Sequence, residues 1–340
     1  MKLPVILIGL FVTITLEAQH AKPVPQRYDT LYIRDLSEKL SARIYGVNKI
    51  NSFGIIDRDS GYSINYAPNS SLNLGLGVNY KWFGLGIAFN FPLINNDNDK
   101  YGKTKKIDLL TNLFTRSLAM DLYMQLYKGF YVENPDSYIN DWDFSLPYPQ
   151  RSDIISASIV GSCLYAFNHR KYSPRAAFVQ SDIQKKSAGS FLLGGYFSVF
   201  SVSADSAFIP YEIEINCNPD LCFNFTSVYG LGITGGYTHT FVMWKRLYFS
   251  LTLIPGVGYQ SFETGYDWQS ETMHGSQVSG RLSARAAIVY NTDRSYAGIT
   301  AIDDNYTGNT GRNQLNSMNY QVGVIRFFYG RRFNVNKNKG

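Results

Sequence analysis

Long hydrophobic runs and charge are both scarce in this chain. Only 17% of its 340 residues are charged. No apolar run outside the N-terminus approaches the roughly 18 residues that a spanning helix needs. Histidine is rare, with four in all. His20, His169 and His274 lie outside any strand pattern and have no metal-ligand spacing, which argues against a metal centre. No phosphate loop, zinc pattern or dinucleotide fingerprint is present. The glycine-rich stretch at 84–90, GLGIAFN, lies within a β-hairpin pattern and lacks the strand-to-helix setting that such a loop requires. The formal net charge of +6 is modest and unclustered, so a nucleic-acid partner is a poor reading. Nothing calls for a cofactor. In contrast, 26 Tyr, 22 Phe and 29 Gly are abundant. Aromatic and glycine enrichment with few charges suits a β-protein, and a barrel in particular.

The clearest pattern is residues 72–91, LNLGLGVNYKWFGLGIAFNF. Leu72, Leu74, Leu76, Val78, Tyr80 and Trp82 share one face, and Asn73, Gly75, Gly77, Asn79 and Lys81 the other. The parity flips at Trp82–Phe83, after which Phe83, Leu85, Ile87, Phe89 and Phe91 are apolar. A period of two with one flip predicts two strands joined by a tight turn. Each is about ten residues long, enough to cross a bilayer when tilted. Large apolar residues would face lipid while Gly, Asn and Ala line a lumen. The same alternation returns at 107–127, 154–167, 189–202, 229–259, 278–302 and 318–333.

Connection lengths alternate too. Short turns fall near 82, 117, 245 and 292; long polar loops fall at 49–70, 94–104, 131–152, 204–225, 263–275 and 303–317. This asymmetry belongs to an outer-membrane barrel whose short turns face the periplasm. The expectation is an all-β fold, a single antiparallel transmembrane β-barrel of about 12 strands over residues 38–334; 10 or 14 strands, or a secreted β-sandwich, are the alternatives. Two stretches resist. The basic connection at 168–187 falls on the short-turn side yet is long, and reads as a periplasmic flap, a lumen plug or an extra strand. The last strand places Arg326 on the face of Tyr320, Val322 and Val324, taken as outward, and a bulge near Val324–Ile325 would repair the pattern.

At the N-terminus, Met1–Lys2, the apolar segment 3–16 and Glu17–Ala18–Gln19 read as a cleaved signal peptide over 1–18. Residues 19–37 read as a periplasmic extension and 335–340 as a tail. Export to the outer membrane agrees with a disulfide-closed loop between Cys217 and Cys222, two free thiols being the alternative.

Candidate lumen-lining residues are Arg281, Arg285, Asp108, Asp121 and Lys81. They make either an anion-favouring constriction or an internal ion-pair network, and a narrow lumen favours the network. Arg175, Lys185 and Lys186 form the basic connection, facing anionic lipid, a periplasmic partner, the lumen or only solvent. His239 sits between Tyr237 and Phe241, as in an interfacial aromatic belt, and away from any serine it would activate. The functional expectation is a barrel in contact with outer-membrane lipid, passing or binding a small solute or lipid. A plugged interaction barrel is the second reading and a barrel hydrolase a distant third.

The Glu-Ala-Gln end of the signal peptide, the hairpin YAPNSSLNLGLGVNYKWFGLGIAF, the segment YSPRAAFVQSDIQKKSAGSFLLGG and the closing FFYGRRF resemble the family catalogued as domain of unknown function 4421, outer-membrane proteins of Bacteroidota. The resemblance covers nearly all of the mature chain. It implies an outer-membrane barrel with no assigned activity and supplies no catalytic residues.

Overall fold

The computed structural model describes residues 28–57, 61–70, 72–81, 83–90, 97–210, 221–266, 269–309 and 316–335. The segment read as a signal peptide and Cys217 lie outside them. Fifteen strands are described: β1 (Ile33–Asp35), β2 (Lys39–Asp57), β3 (Ser63–Ala67), β4 (Asn73–Tyr80), β5 (Phe83–Asn90), β6 (Lys105–Phe114), β7 (Leu118–Val132), β8 (Gln150–Ala166), β9 (Asp182–Gln184), β10 (Ala188–Ser203), β11 (Phe225–Met243), β12 (Leu247–Tyr266), β13 (Gln269–Asn291), β14 (Ser295–Asn309) and β15 (Asn316–Asn334). Short helices α1 (Asn98–Tyr101) and α2 (Pro174–Phe178) lie in two connections.

Thirteen strands form one antiparallel sheet that closes where β15 pairs with β2 from Asn316↔Asp57 to Asn334↔Lys39. Tracing the ladders gives a ring of ten: β2, β3, β7, β8 and β10 to β15. The twelve strands expected from alternation are all present, but three of them, β4, β5 and β6, stand outside that ring. The reason is that β2 has two partners on one side. Its upper half, Phe53–Ile56, pairs with β3, which reaches β7 through Tyr66↔Val132 and Ala67↔Tyr131. Its lower half, Ser41–Val47, pairs with β4 and so carries the β4–β5 hairpin, while β6 hangs from β7.

The polarity is that of a membrane barrel. Phe191, Leu231, Ile233 and Val278 are 66–71% exposed on the outer face, whereas Thr238, Thr240, Ser250 and Ser283 are fully buried inside. A soluble sandwich would reverse this. The turns at Lys81, at residues 115–117, at Trp244–Lys245 and at residues 292–294 are short, as expected. Lys81, Trp244 and Lys245 adopt positive φ there, which tight hairpins require.

Three stretches expected as loops hold ladder, the first within 49–70, where β2 runs on to Asp57 and β3 pairs beside it because Phe53, Ile55, Ile64 and Tyr66 pack into the interior. β12 continues through 263–266 and β13 covers 269–275, with Glu263↔His274 paired and, past a register shift between Thr264 and Tyr266, Tyr266↔Gln269, and β14 runs through Asp303 and Asp304 to Asn309. Polar side chains do not break a ladder whose hydrogen bonds are backbone to backbone, so the hairpins run on as polar strand. The last strand has no bulge: β15 pairs with β14 and β2 without a register shift. Tyr320, Val322, Val324 and Phe328 are buried inside and Ile325, Phe327 and Tyr329 are exposed outside. Arg326 therefore shares the inner face with them, and the outward assignment of Val322 and Val324 is corrected.

Candidate functional site

The lumen is filled in three layers. At the short-turn end, residues 168–187 fold inward as a plug. Asn168 starts a tight turn, Pro174 opens α2, and the chain returns as β9, which pairs with β1 of the N-terminal segment (Ile33↔Gln184, Asp35↔Asp182). Ala176, Ala177 and Phe178 are buried against Val289, Tyr296, Val324 and Phe328 of the wall, and Phe178 stacks on Phe114 at 6.0 Å. Strands β11, β12, β13 and β15 hold the plug. Thr238 donates to the Tyr172 hydroxyl (3.1 Å), the Tyr248 hydroxyl to the Ala176 carbonyl, the Asn291 amide to the Asp182 carbonyl (3.1 Å) and Arg332 to the Gln180 carbonyl. Of the three readings of this connection, the plug is the one the geometry matches.

The basic residues of the connection divide. Arg175 is turned inward, its guanidinium 3.3 Å from Asp182 and 3.6 Å from Asp35. Arg116, from the β6–β7 turn, completes the cluster at 2.6 Å from Asp35 and 3.5 Å from Asp182. Burial pushes the Asp182 carboxyl up, against the pull of Arg175 and Arg116. Burial also acts upward on Asp35, yet hydrogen bonds from Ser37 and the two guanidiniums hold it below its ordinary value. Lys185 stays at the surface, donating to the Thr30 carbonyl at 2.8 Å, and the Lys186 ammonium lies 5.5 Å from the centre of the Tyr32 ring.

The middle layer is ionic. Arg281 and Arg285 point inward from β13, as their spacing predicts, and are buried. Arg285 lies 2.8 Å from Asp121 of β7, and Arg281 pairs with Asp304 of β14. Asn112 of β6 donates to Asp121, joining that pair to the neighbouring strand. Asp108 belongs to a separate group, 3.0 Å from the Lys49 ammonium and 2.7 Å from the Tyr127 hydroxyl, with Gln125 and Asn51 continuing across the interior. Lys81 does not join the lumen residues. It occupies the β4–β5 turn, exposed, with its amide bonded to the Ser37 carbonyl. Alternation placed it inward, but the turn's positive φ ends the alternation there.

The third layer, toward the long-loop end, is aromatic. Phe200, Tyr320 and Tyr306 form a parallel stack at successive 4.6 Å separations. Arg281 lies 4.9 Å from the centre of the Tyr196 ring, tying this stack to the ionic layer. Above it Phe53, Tyr66 and Phe130 meet Phe208 and Phe223, which the described ends of the 204–225 connection bring inward. Cys222 is buried beside them; the suggested bridge to Cys217 lies outside the described residues.

Sequence reasoning missed one group. Arg43 and Tyr45 of β2 face inward beside Arg326 of β15. The two guanidinium carbons lie 5.5 and 5.7 Å from the centre of the Tyr45 ring. Among the described residues neither arginine has an ion-pair partner, and the Nε of each is buried with no hydrogen-bond partner. The signal was present as inward parity on β2, had the polarity of β15 been set by its register. His239 faces outward, 3.2 Å from the Tyr237 hydroxyl and 4.3 Å ring to ring from Phe241, while Thr238 and Thr240 face the lumen.

Comparison with solved structures returns outer-membrane barrels at very low identity. The outer membrane protease OmpT from Escherichia coli is 8% identical, with 88% of this chain and 98% of that chain covered and a TM-score of 0.42. The Pseudomonas putida toluene transporter TodX is 7% identical, covering 88% and 91%, with a TM-score of 0.28. An anion-selective porin from Comamonas acidovorans is 10% identical, covering 86% and 100%, with a TM-score of 0.16. No curated protein matches the sequence. A family model matches residues 27–333, and the chain, an outer-membrane-type β-barrel, belongs to the family described as domain of unknown function, DUF4421.

Proposed function

We propose that this protein works in the outer membrane as a closed, binding barrel and not as an open pore. The observation that carries the reading is the plug of residues 168–187. It is seated inside the ring and anchored to β11, β12, β13 and β15. Behind it the Asp121–Arg285 and Asp304–Arg281 pairs use the charges that would otherwise give an anion-selective constriction. An aqueous path would have to break both the plug contacts and this buried ionic layer. The bands of exposed Leu, Ile, Val and Phe leave lipid as the medium of the outer surface.

The test is current across a planar bilayer, using protein whose gel mobility shifts on boiling and is therefore a folded barrel. The expected result is insertion without discrete conductance steps. Regular steps in the wild-type protein would overturn the closed-barrel reading, and recovery of the protein as a soluble periplasmic species would overturn its membrane placement.

A further inference from the structure

The wall is hydrogen-bonded strand to strand except below β3. There β5, on the β2 side, and β6, on the β7 side, flank one opening, and among the described residues no ladder joins them. Their directions are antiparallel, β5 running up from the short-turn end and β6 running down. Both lie at the apolar level of the barrel, where Leu85, Ile87, Ile107 and Leu109 are exposed. Free strand edges are costly in hydrocarbon, so a seam in this place is a feature to be explained. Its upper limit is fastened: Asn69 donates its side chain to the Gly102 carbonyl (2.9 Å) and its amide to the Thr104 hydroxyl (2.8 Å).

The unpaired arginine group lies inside the wall next to the seam: Arg43 on β2 is two strands from β5's free edge, Arg326 on β15 is three, and Tyr45 links them to β5. The Tyr45 ring reaches across β4 to β5. A Cβ on Gly75 would come within 2.5 Å of the ring, and one on Gly86 within 2.8 Å of the hydroxyl. A Cβ on Gly77 would meet the Arg43 Nε at 2.9 Å. These glycines leave the inner face of the β4–β5 hairpin open for Tyr45 and Arg43, and Arg326 closes the group from β15. On the outer surface of the same wall, an apolar groove of about 670 Å³ passes over Gly46 between Ile44, Leu76 and Phe327 and reaches Phe89 on β5. Two cations that pair with no acid among the described residues thus lie behind a lipid-facing wall that ends at the seam and carries an alkyl-sized groove.

We propose that the β5–β6 seam admits, from the bilayer, a single-chain amphiphile with an anionic head. Arg43 and Arg326 hold the carboxylate or phosphate beside the Tyr45 hydroxyl, and the chain crosses the seam toward the outer groove. Guanidiniums suit such heads because they offer several donors in a fixed plane. The proposal rests on the closed-barrel reading to the extent that the bilayer, and not an aqueous lumen, is the route of entry.

The test uses the full-length protein in nanodiscs and measures binding of oleate, oleyl phosphate and oleyl alcohol. One anionic probe, or both, is expected to bind about tenfold or more tightly than the alcohol, the difference made by charge-assisted hydrogen bonds to the head. Which anion binds distinguishes a carboxylate from a phosphate ligand. Arg43→Gln with Arg326→Gln should abolish the preference while keeping the mobility shift on boiling. An oleate analogue with a diazirine beside the carboxylate should label peptides from β2 and β15. Equal binding of all three probes, an unchanged preference in the folded double variant, or labelling confined to other strands would overturn the site. The wild-type comparison needs no variant and stands if the double variant fails to fold. Conductance on the same preparation reports separately on the closed lumen: a conducting barrel that still prefers the anion would retire the first reading and leave the arginine site.

Discussion

Two pairs of lumenal arginines occupy one barrel in opposite ways. Arg281 and Arg285 sit on a single strand of the continuous wall, and each faces a carboxylate from another strand. Arg43 and Arg326 sit on β2 and β15, behind the wall that leads to the seam, and share a tyrosine ring, with no acid paired to them among the described residues. A buried charge with a good partner holds strands together; a buried charge without one weakens the fold and is available to something that arrives later. The difference separates the part of the interior that builds the barrel from the part that can bind.

The sharpest way to break this comparison is to remove one partner of a built pair. Asp121→Asn or Asp304→Asn should strand an arginine in the lumen and cost about 3–5 kcal/mol, the usual penalty for an uncompensated buried charge. The denaturant midpoint of the barrel refolded in liposomes would show it. A shift no larger than that of a surface substitution would mean that water reaches these pairs, and the ionic layer would no longer seal the lumen.

The plug gives the next effect. Phe178→Ala removes a buried ring that stacks on Phe114, and about 3 kcal/mol of packing should go with it. Since the ring belongs to the plug and not to the ladder, the loss should appear as faster proteolysis within 168–187, while the boiling-dependent mobility shift persists. A variant as protected as wild type would show that the polar anchors alone keep the plug in place.

The seam arginines should respond with the opposite sign. Arg326→Met replaces an unpaired inward cation with an apolar chain of similar length and should leave stability unchanged or raise it by about 1–2 kcal/mol. If it instead destabilises as much as Asp121→Asn, Arg326 has a structural partner and the contrast between the two pairs collapses.

What could be read in the sequence follows from how uniform each surface is. The outer faces of β4, β5 and β7 meet only lipid, so Leu74, Leu76, Met124 and Leu126 announce themselves by period two. The inward course of Arg281 and Arg285 follows from the apolar residues between them. The rule failed on β15 because the lumen there is not polar. Tyr320 and Val322 pack into the aromatic layer, so inner and outer faces of that strand are both apolar and parity alone sets Arg326 on the wrong side. Residues 263–266, 269–275 and 303–309 failed for the converse reason, being strand with polar side chains on a backbone ladder. The plug's length and basic character were visible, but its closure depends on Asp35, Asp182 and Arg116, which lie far apart in sequence and meet only in the fold. The seam has no local signature, because β5 and β6 each read as ordinary strands.

The smallest expected effect concerns the acids of the plug, which lie at the short-turn end beyond the apolar band and run in opposite directions with pH. Asp35 is held below its ordinary value of 3.8, so its contribution to plug docking is present above about pH 4 and is lost as pH falls through its folded value. Asp182 is raised by burial, so the folded plug takes up that proton before the unfolded chain does, and this site favours docking as pH falls. Comparing wild type with Asp35→Asn isolates the first term. The variant should be less protected from proteolysis at pH 7 by roughly 1 kcal/mol, the scale of a partly exposed ion pair, and the gap should close on acidification below 3.8. A gap that stays constant to low pH would assign Asp35's role to its hydrogen bonds with Ser37 rather than to its charge opposite Arg116 and Arg175. The plug would then be held by shape and backbone contacts, and only the lumen's middle layer would depend on ion pairs.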